Sequence, residues 1–573
     1  MSILLKKMRY NRYMQIIPRK IRELFETRID ILFFYLFLMT STLSIRKVIY
    51  FYKINNSFNE YTGVYIYLSD IFLLLTFISF ILYHNKYLLS RLISIIQFLA
   101  AKKRALFKFK YASNNVSTIV PRGTIVSLKK IYTIVIKNYL VIFPLVIAFF
   151  SFISIFWSTN FVIASFRSIK LFEFILFYFY ILSIVPHGTI DNITHTKQFG
   201  FEQKEKNKLS KNSQHANCST WNNLKKFSYI IIIAGIIQSI IGISQFLLQQ
   251  SIGLFWLKES IISTVIPGVA KVILSGHVLI RAYGLFPHPN IFGGYLVFSI
   301  IITLFVKKVI NVTEKKEHES GHSLAVNSNY QLFHVEQLLL NRTFTNIILT
   351  IQGIALLLTF SKSAILALTI GLFYIFSKQN FNMFHVEHIR RKILLACAIL
   401  ILSFLLVKPD IYSLFIKSLQ ERSFYLNVSR GTILSHPIIG IGAGQFVFQL
   451  LKIPHIQDWQ FQPVHNVFLL IANEYGIFIA VGFALFLFKL FTTENCSTPA
   501  STRGNDRSST RGGWNNSEKS ILLLYAKGIL LSLIFIMMFD HYFWDIQQGQ
   551  IMLWLILGLI ARLITSDSEA DLS

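Results

Sequence analysis

The chain has 573 residues, of which 53% are hydrophobic and only 14% charged, with a mean hydropathy of +0.53. An ordinary soluble domain carries about 25% charged residues, so a soluble cytosolic enzyme is excluded and a polytopic membrane protein is expected. The 56 Lys+Arg against 27 Asp+Glu leave a net charge of +29. These residues are spread over several loops rather than gathered with aromatics, which points to loops held on the cytoplasmic side and away from nucleic acid.

Residues 1–28 form a basic N-terminus ahead of an apolar run that starts at Ile29. The run comes late and has no small-residue cleavage site, so it reads as an uncleaved first span. Further apolar segments begin near residues 65, 139, 165, 227, 291, 344, 361, 392, 467, 520 and 549. The expected fold is therefore all-α and polytopic, with about 12 transmembrane helices. Segment 88–101 contains Arg91 and reads better as an interfacial helix. In this division, residues 29–407 hold spans one to nine with cytoplasmic inserts, and 408–466 form a large external, periplasmic loop subdomain. Residues 467–563 hold the last three spans, and 564–573 form a cytoplasmic tail. With both termini in the cytoplasm, roughly 40 Lys/Arg fall inside and about 12 outside, as the positive-inside rule demands. Cys218, Cys397 and Cys496 have spacings that suit neither a disulfide framework nor a zinc site.

Five short strings recur in the inner loops: IVPRGTI (119–125), NCSTWNN (217–223), QLFHVEQL (331–338), NMFHVEHI (382–389), and the split pair NCST (495–498) and GGWNN (512–516). His385, Glu387 and His388 in the fourth fit neither of the helical zinc-protease spacings, so no metal site is expected there. One DNA palindrome, ATTGTTCCACGTGGAACAAT, encodes IVPRGTI, NCSTWNN and LFHVEQ in its three frames. The strings resemble palindromic elements that invade bacterial coding regions. Such insertions survive in exposed, tolerant loops, which directs the search for chemistry to the opposite side.

The outward polar residues are few. Arg281 opens RAYGLFPHPNIFGG, and Lys362 sits in the turn SKS. Arg422 and Arg430 lie in ERSFYLNVSRGTILSHPIIGIGAGQF, His465 and Asn466 in QPVHNVFLLIANEYG, and Asp540, His541 and Asp545 in the last external turn. His288-Pro289-Asn290 reads as the cap of the following helix, with Asn290 meeting free amides. Gly440, Gly442 and Gly444 do not have nucleotide-loop spacing and read as a packing turn. His465 is open to a helix-cap reading as well as a chemical one.

With these segments in hand, the chain resembles the O-antigen ligase and Wzy-type polymerase superfamily over roughly residues 30–563. Within 421–476, Glu421-Arg422, Pro437, Gly440, Gly442, Phe446, His465-Asn466 and Gly476 follow the family order. Ile479 stands where ligases usually carry Gly, Thr or Tyr, and Lys362 where many members carry Arg. The resemblance implies a metal-independent, cofactor-free, inverting glycosyltransferase of lipopolysaccharide biosynthesis in the bacterial inner membrane. Its donor would be a glycan on undecaprenyl diphosphate, and its acceptor a hydroxyl of lipid A–core or similar. His465 is then the expected general base. Arg281 and Arg422 are the expected diphosphate ligands with Lys362 assisting, and Asn466 and Arg430 are possible support. A polymerase of the same superfamily is the alternative reading, and a protein O-oligosaccharyltransferase a further one. A small-anion transporter is disfavoured because mid-span positions are almost free of charge.

Overall fold

The computed structural model describes residues 28–83, 124–184, 203–274, 276–320, 341–379, 409–493 and 516–565. Residues 88–101 and the strings at 331–338, 382–389 and 495–498 lie outside the described residues, as do most of the first string and of GGWNN. NCSTWNN falls on a helical backbone. The chain divides into two compact units, Met1–Thr40 with Ile66–Ile136, and Ser41–Tyr65 with Lys137–Ser573.

The first unit contains α1 (Ile29–Thr40) and α2 (Leu68–Tyr83). Arg28 donates from Nε and Nη2 to the two carboxylate oxygens of Asp30, at 2.9 and 2.8 Å. That acid in the first turn of α1 suits the positive end of the helix.

The second unit opens with an arm, residues 41–65, that carries β1 (Arg46–Phe51) and the start of β2 (Gly63–Tyr67). It continues through the part of α3 (Thr124–Ser154) that follows Ile136, then α4 (Phe161–Ile184) and α5 (Gln203–Leu248). Strands β3 (Lys271–Leu274) and β4 (His277–Ile280) then pair antiparallel, with Lys271 opposite Ile280. After α6 (Pro289–Ser320) come α7 (Arg342–Leu358), α8 (Lys362–Lys378), α9 (Pro409–Ser435) and the short α10 (Phe446–Leu450). The chain closes with α11 (Val467–Tyr475), α12 (Ile477–Thr492), α13 (Asn516–Met537), α14 (Tyr542–Asp545) and α15 (Gln547–Thr565).

The protein is thus a helix-rich, multi-pass membrane protein, but the expected dozen spans is corrected. Among the described residues, five helical stretches are long and apolar enough to cross a bilayer: Tyr139–Trp157, Lys226–Leu248, Pro289–Ile310, Lys519–Met537 and Gln547–Thr565. The reason is length and charge. α7 and α8 have 17 residues each, about 26 Å of helix against a hydrocarbon core of about 30 Å. α1 has 12 residues, and α11 and α12 are separate pieces broken at Gly476. α4 is long enough but carries Arg167, Lys170 and Glu173. The segment near residue 392 lies outside the described residues. An apolar run shows that a segment avoids water, not that it spans.

α6 is the centre of this unit, with 89% of its apolar window buried, against 39% for the span that follows Tyr139. Without water, helix association rests on close packing and internal hydrogen bonds. Gln352 on α7 donates to Ser299 on α6 at 3.0 Å, and Tyr295 donates to the Ile231 carbonyl of α5 at 3.1 Å. Ser532 on α13 donates to the Ala367 carbonyl of α8 at 2.8 Å. Trp554 on α15 meets Tyr178 on α4 edge to face, with ring centres 6.0 Å apart.

The break between α11 and α12 has a local cause. The last carbonyls of a helix lack intrahelical partners. Here the glycine turn supplies them: Ile441 N–H donates to the Asn473 carbonyl and Gly442 N–H to that of Glu474, both at 2.9 Å. Ile477 N–H, opening α12, donates to the Pro437 carbonyl at 2.9 Å. Gly440 has φ +66°, and a Cβ there would lie 2.4 Å from the Glu474 carbonyl carbon. Gly476 has φ +85°, and its Cβ would lie 2.0 Å from the Ile438 oxygen. Only glycine allows this approach, so the packing-turn reading of the glycines holds.

Candidate functional site

The glycine turn fixes α11, and α11 fixes His465. Asn466 caps that helix, accepting the Leu469 N–H at 2.9 Å. Its amide also donates to the Met538 carbonyl at 3.0 Å, tying the helix start to the turn after α13. The cap is therefore Asn466, and the neighbouring His465 is released from that role. Its ring meets Tyr425 edge to face at 5.5 Å and lies 5.2 Å from the His541 ring. Its Nδ1 stands 4.0 Å from Asp540 Oδ1, beyond hydrogen-bond reach.

Asp540 is the hub. Its Oδ1 accepts the His541 backbone N–H at 2.9 Å, and its Oδ2 accepts from Asn290 at 3.1 Å. Asn290 in turn accepts from Arg281 Nη2 at 2.7 Å. Arg281 Nε donates to the Thr359 carbonyl at 2.6 Å, so the guanidinium sits where α7 ends and its dipole favours a cation. The expectation for the His-Pro-Asn segment is corrected in part. His288 does precede α6, with its carbonyl accepting from Ile291 and Phe292, and Pro289 opens the helix. The Asn290 side chain, however, bridges Arg281 and Asp540 instead of capping.

Arg422, on α9, places its guanidinium 5.8 Å from the Phe539 ring centre, next to Asp540. Lys362 begins α8, close enough to feel the like charges of Arg422 and Arg281. Five predicted residues, Arg281, Lys362, Arg422, His465 and Asn466, are therefore drawn to one region from separate stretches of sequence. Arg430 is exposed and lies two turns beyond Arg422 on α9, about 12 Å along the axis.

Burial disfavours charge on His465, and His541 and Arg422 push the same way against Asp540, so its pKa falls below the ordinary histidine range. Burial together with Arg281 pushes His288 down to about 3. His541 behaves oppositely. Burial works against its charge, but Asp545, with Nδ1 to Oδ1 at 2.9 Å, outweighs it and the pKa rises. Asp540 stays ionised, because the neighbouring His541, itself pushed towards the charged form, and the Asn290 amide overcome the cost of burying it. Arg281, lowered to about 10 by burial, keeps its charge near neutral pH.

Sequence reasoning noted Asp540, His541 and Asp545 but gave them no role. Their signal was three ionisable groups within six residues at the end of an apolar helix, two of them one turn apart. Arg167 was missed outright. It donates to the Asp545 carbonyl at 2.7 Å and the Tyr61 carbonyl at 3.1 Å. With Tyr61, Glu474 and Trp544 it lines a small cavity behind Asp545.

Donor atoms of His465, Asp540 and His541 lie within 4.8 Å of one another, close enough to hold a divalent ion. Such an ion would share the pocket with Arg281 and Arg422, which oppose a second cation. The arrangement suits an anion better: cations on three elements, and a buried imidazole beside an ionised carboxylate. No protein-family model matches this chain, and no curated protein sequence matches it either.

Proposed function

We propose that the protein is an O-antigen ligase-like glycosyltransferase of the bacterial inner membrane. It moves a glycan from undecaprenyl diphosphate to an acceptor hydroxyl, such as that of lipid A–core, at the outer face. The observation that carries this reading is the convergence of Arg281, Arg422 and Lys362 around the His465–Asp540 pair. Charge developing on a diphosphate leaving group is stabilised by preplaced cations, without need of a metal. A guanidinium meets phosphate oxygens with two parallel donors.

In the proposed reaction His465 takes the proton of the acceptor hydroxyl. The acceptor oxygen bonds to the anomeric carbon, and the bond from that carbon to the diphosphate oxygen breaks. The bonding pair leaves with undecaprenyl diphosphate, which Arg281 and Arg422 receive. A single displacement inverts the anomeric centre. His465 is neutral near pH 7 and so able to accept. The arriving diphosphate offsets Arg422, whose charge holds the imidazole down, and so raises its basicity when substrate is present. Asp540 favours the resulting imidazolium. Both termini lie in the cytoplasm in this reading, on the side with the basic loops.

The test is glycan transfer in membranes from a defined lipid-linked donor, with chelator present throughout and donor binding measured separately. Transfer that survives chelator in the wild type and is lost in His465→Ala, with donor binding kept, supports the reading. Transfer abolished by chelator, or unchanged in His465→Ala, overturns it.

A further inference from the structure

A second cavity lies among α4, α5, α6, α13 and α15. Its walls are apolar, including Ile184, Phe227, Ile302, Ala526 and Leu559; Ser228 and Tyr525 are the polar exceptions. The Tyr525 hydroxyl already accepts from Gln379 at 3.3 Å. Water needs two to four polar partners to settle in such a space, and an empty cavity deprives its lining of contacts on one side. The lining therefore favours hydrocarbon over water.

Position and charge identify the hydrocarbon. Asp545 stands at the candidate site, just before α15 begins, whereas Ile556 and Leu559 on α15 line this cavity, about 14–18 Å along that helix from its first residue. The cavity thus belongs to the opposite end of the bundle from Arg281 and His465. That end is basic. Lys226 is exposed and immediately precedes Phe227, and Lys378, Lys489 and Arg562 occupy the last turns of α8, α12 and α15. A surface of this kind attracts anionic headgroups. A donor whose diphosphate sits at the candidate site has its own headgroup at the wrong end to enter here.

We infer that this cavity holds one acyl chain of an anionic phospholipid whose headgroup rests at the Lys226 end of the bundle. The lipid fills the apolar gap between five helices and joins them into one packed unit. The inference does not depend on the transfer reaction and needs no glycan to test.

Native mass spectrometry of the full-length protein, released from mild detergent after purification from membranes containing anionic and zwitterionic phospholipids, reads the occupant directly. The expected result is one retained phospholipid per chain, anionic in preference to zwitterionic. Ala526→Phe, which fills the cavity, should lose most of that adduct while its melting curve confirms a folded protein. Lys226→Glu changes an exposed side chain and should keep an adduct but lose the anionic preference, so it carries the test even if the first variant fails to fold. A wild-type protein free of lipid overturns the inference. So does a retained polyprenyl phosphate, an equal adduct in folded Ala526→Phe, or an unchanged anionic preference in Lys226→Glu.

Discussion

His541 aims its Nδ1 at Asp545, 2.9 Å away and one helical turn further on, while its own backbone N–H is taken by Asp540. The carboxylate thereby selects the imidazole tautomer with hydrogen on Nδ1 and turns Nε2 away from the pair. His465, 5.2 Å off, has no carboxylate within hydrogen-bond distance among the described residues. Two neighbouring imidazoles are thus driven in opposite directions, one towards the charged and one towards the neutral form.

The first prediction follows for catalysis. A base whose pKa is lowered remains unprotonated below the ordinary histidine range of about 6.5. The acid limb of kcat/KM for glycan transfer should therefore fall below pH 6.5, and Asp540→Asn should move it lower still by removing the charge that favours the imidazolium. A limb at or above pH 6.5 in the wild type contradicts the environment described for His465.

The second concerns stability. His541 has a raised pKa in the folded protein, so its contribution is fully present below the unfolded value of about 6.5 and is lost as pH rises through the folded one. Thermal unfolding in detergent should show the wild type losing stability above that point. The loss should be smaller in His541→Gln, which keeps a polar side chain but cannot titrate. Parallel curves for the two proteins count against the ion pair.

The third separates the cations. Arg281 spans two acceptors, the Thr359 carbonyl and Asn290, and a lysine at that position cannot reach both. Arg281→Lys should cost about 1–3 kcal/mol of stability as well as transfer. Arg422→Lys should impair transfer chiefly, because the ammonium loses the two-point grip on phosphate. Lys362→Arg should be tolerated. Melting curves read beside initial rates distinguish the three, and a fully active Arg422→Lys rules out a bidentate role.

The fourth tests the base and the backbone that places it. His465→Ala should reduce turnover by about 10²–10⁴-fold with donor binding retained. Gly476→Ala should behave differently, because a Cβ at φ +85° meets the Ile438 oxygen. That variant should show reduced yield and melting temperature before any kinetic defect. Normal folding of Gly476→Ala would mean that the α11–α12 junction is not held by the glycine turn.

The site was more legible in the sequence than the membrane topology. Arg281, Arg422, Lys362, His465 and Asn466 were all singled out, because charged or polar residues beside apolar runs are costly and stand out. What did not show was how they are joined. Asn290, which holds Arg281, reaches Asp540 across 250 residues of sequence, and no local pattern announces such a bridge. Arg167 was hidden for the opposite reason, since a cation within an apolar stretch looks like a flaw until its two carbonyl partners are known. The span count failed because hydropathy measures avoidance of water, and α7, α8 and α11 satisfy it as short or broken pieces.

Helix α6 has neighbours on nearly every side, whereas the span beginning at Tyr139 leaves Phe149 67% and Ile142 51% exposed. The two segments should therefore drift at different rates under selection. On the outer span one greasy side chain can replace another with little consequence, since bilayer lipid adjusts to any shape. Along α6 a change such as Ser299→Val or Gly294→Ala meets a fixed neighbour, the Gln352 amide in one case and the Tyr542 hydroxyl in the other. A library of variants scored for expression should draw this pillar as a continuous band of intolerance and the Tyr139 span as a stripe sensitive on one face alone.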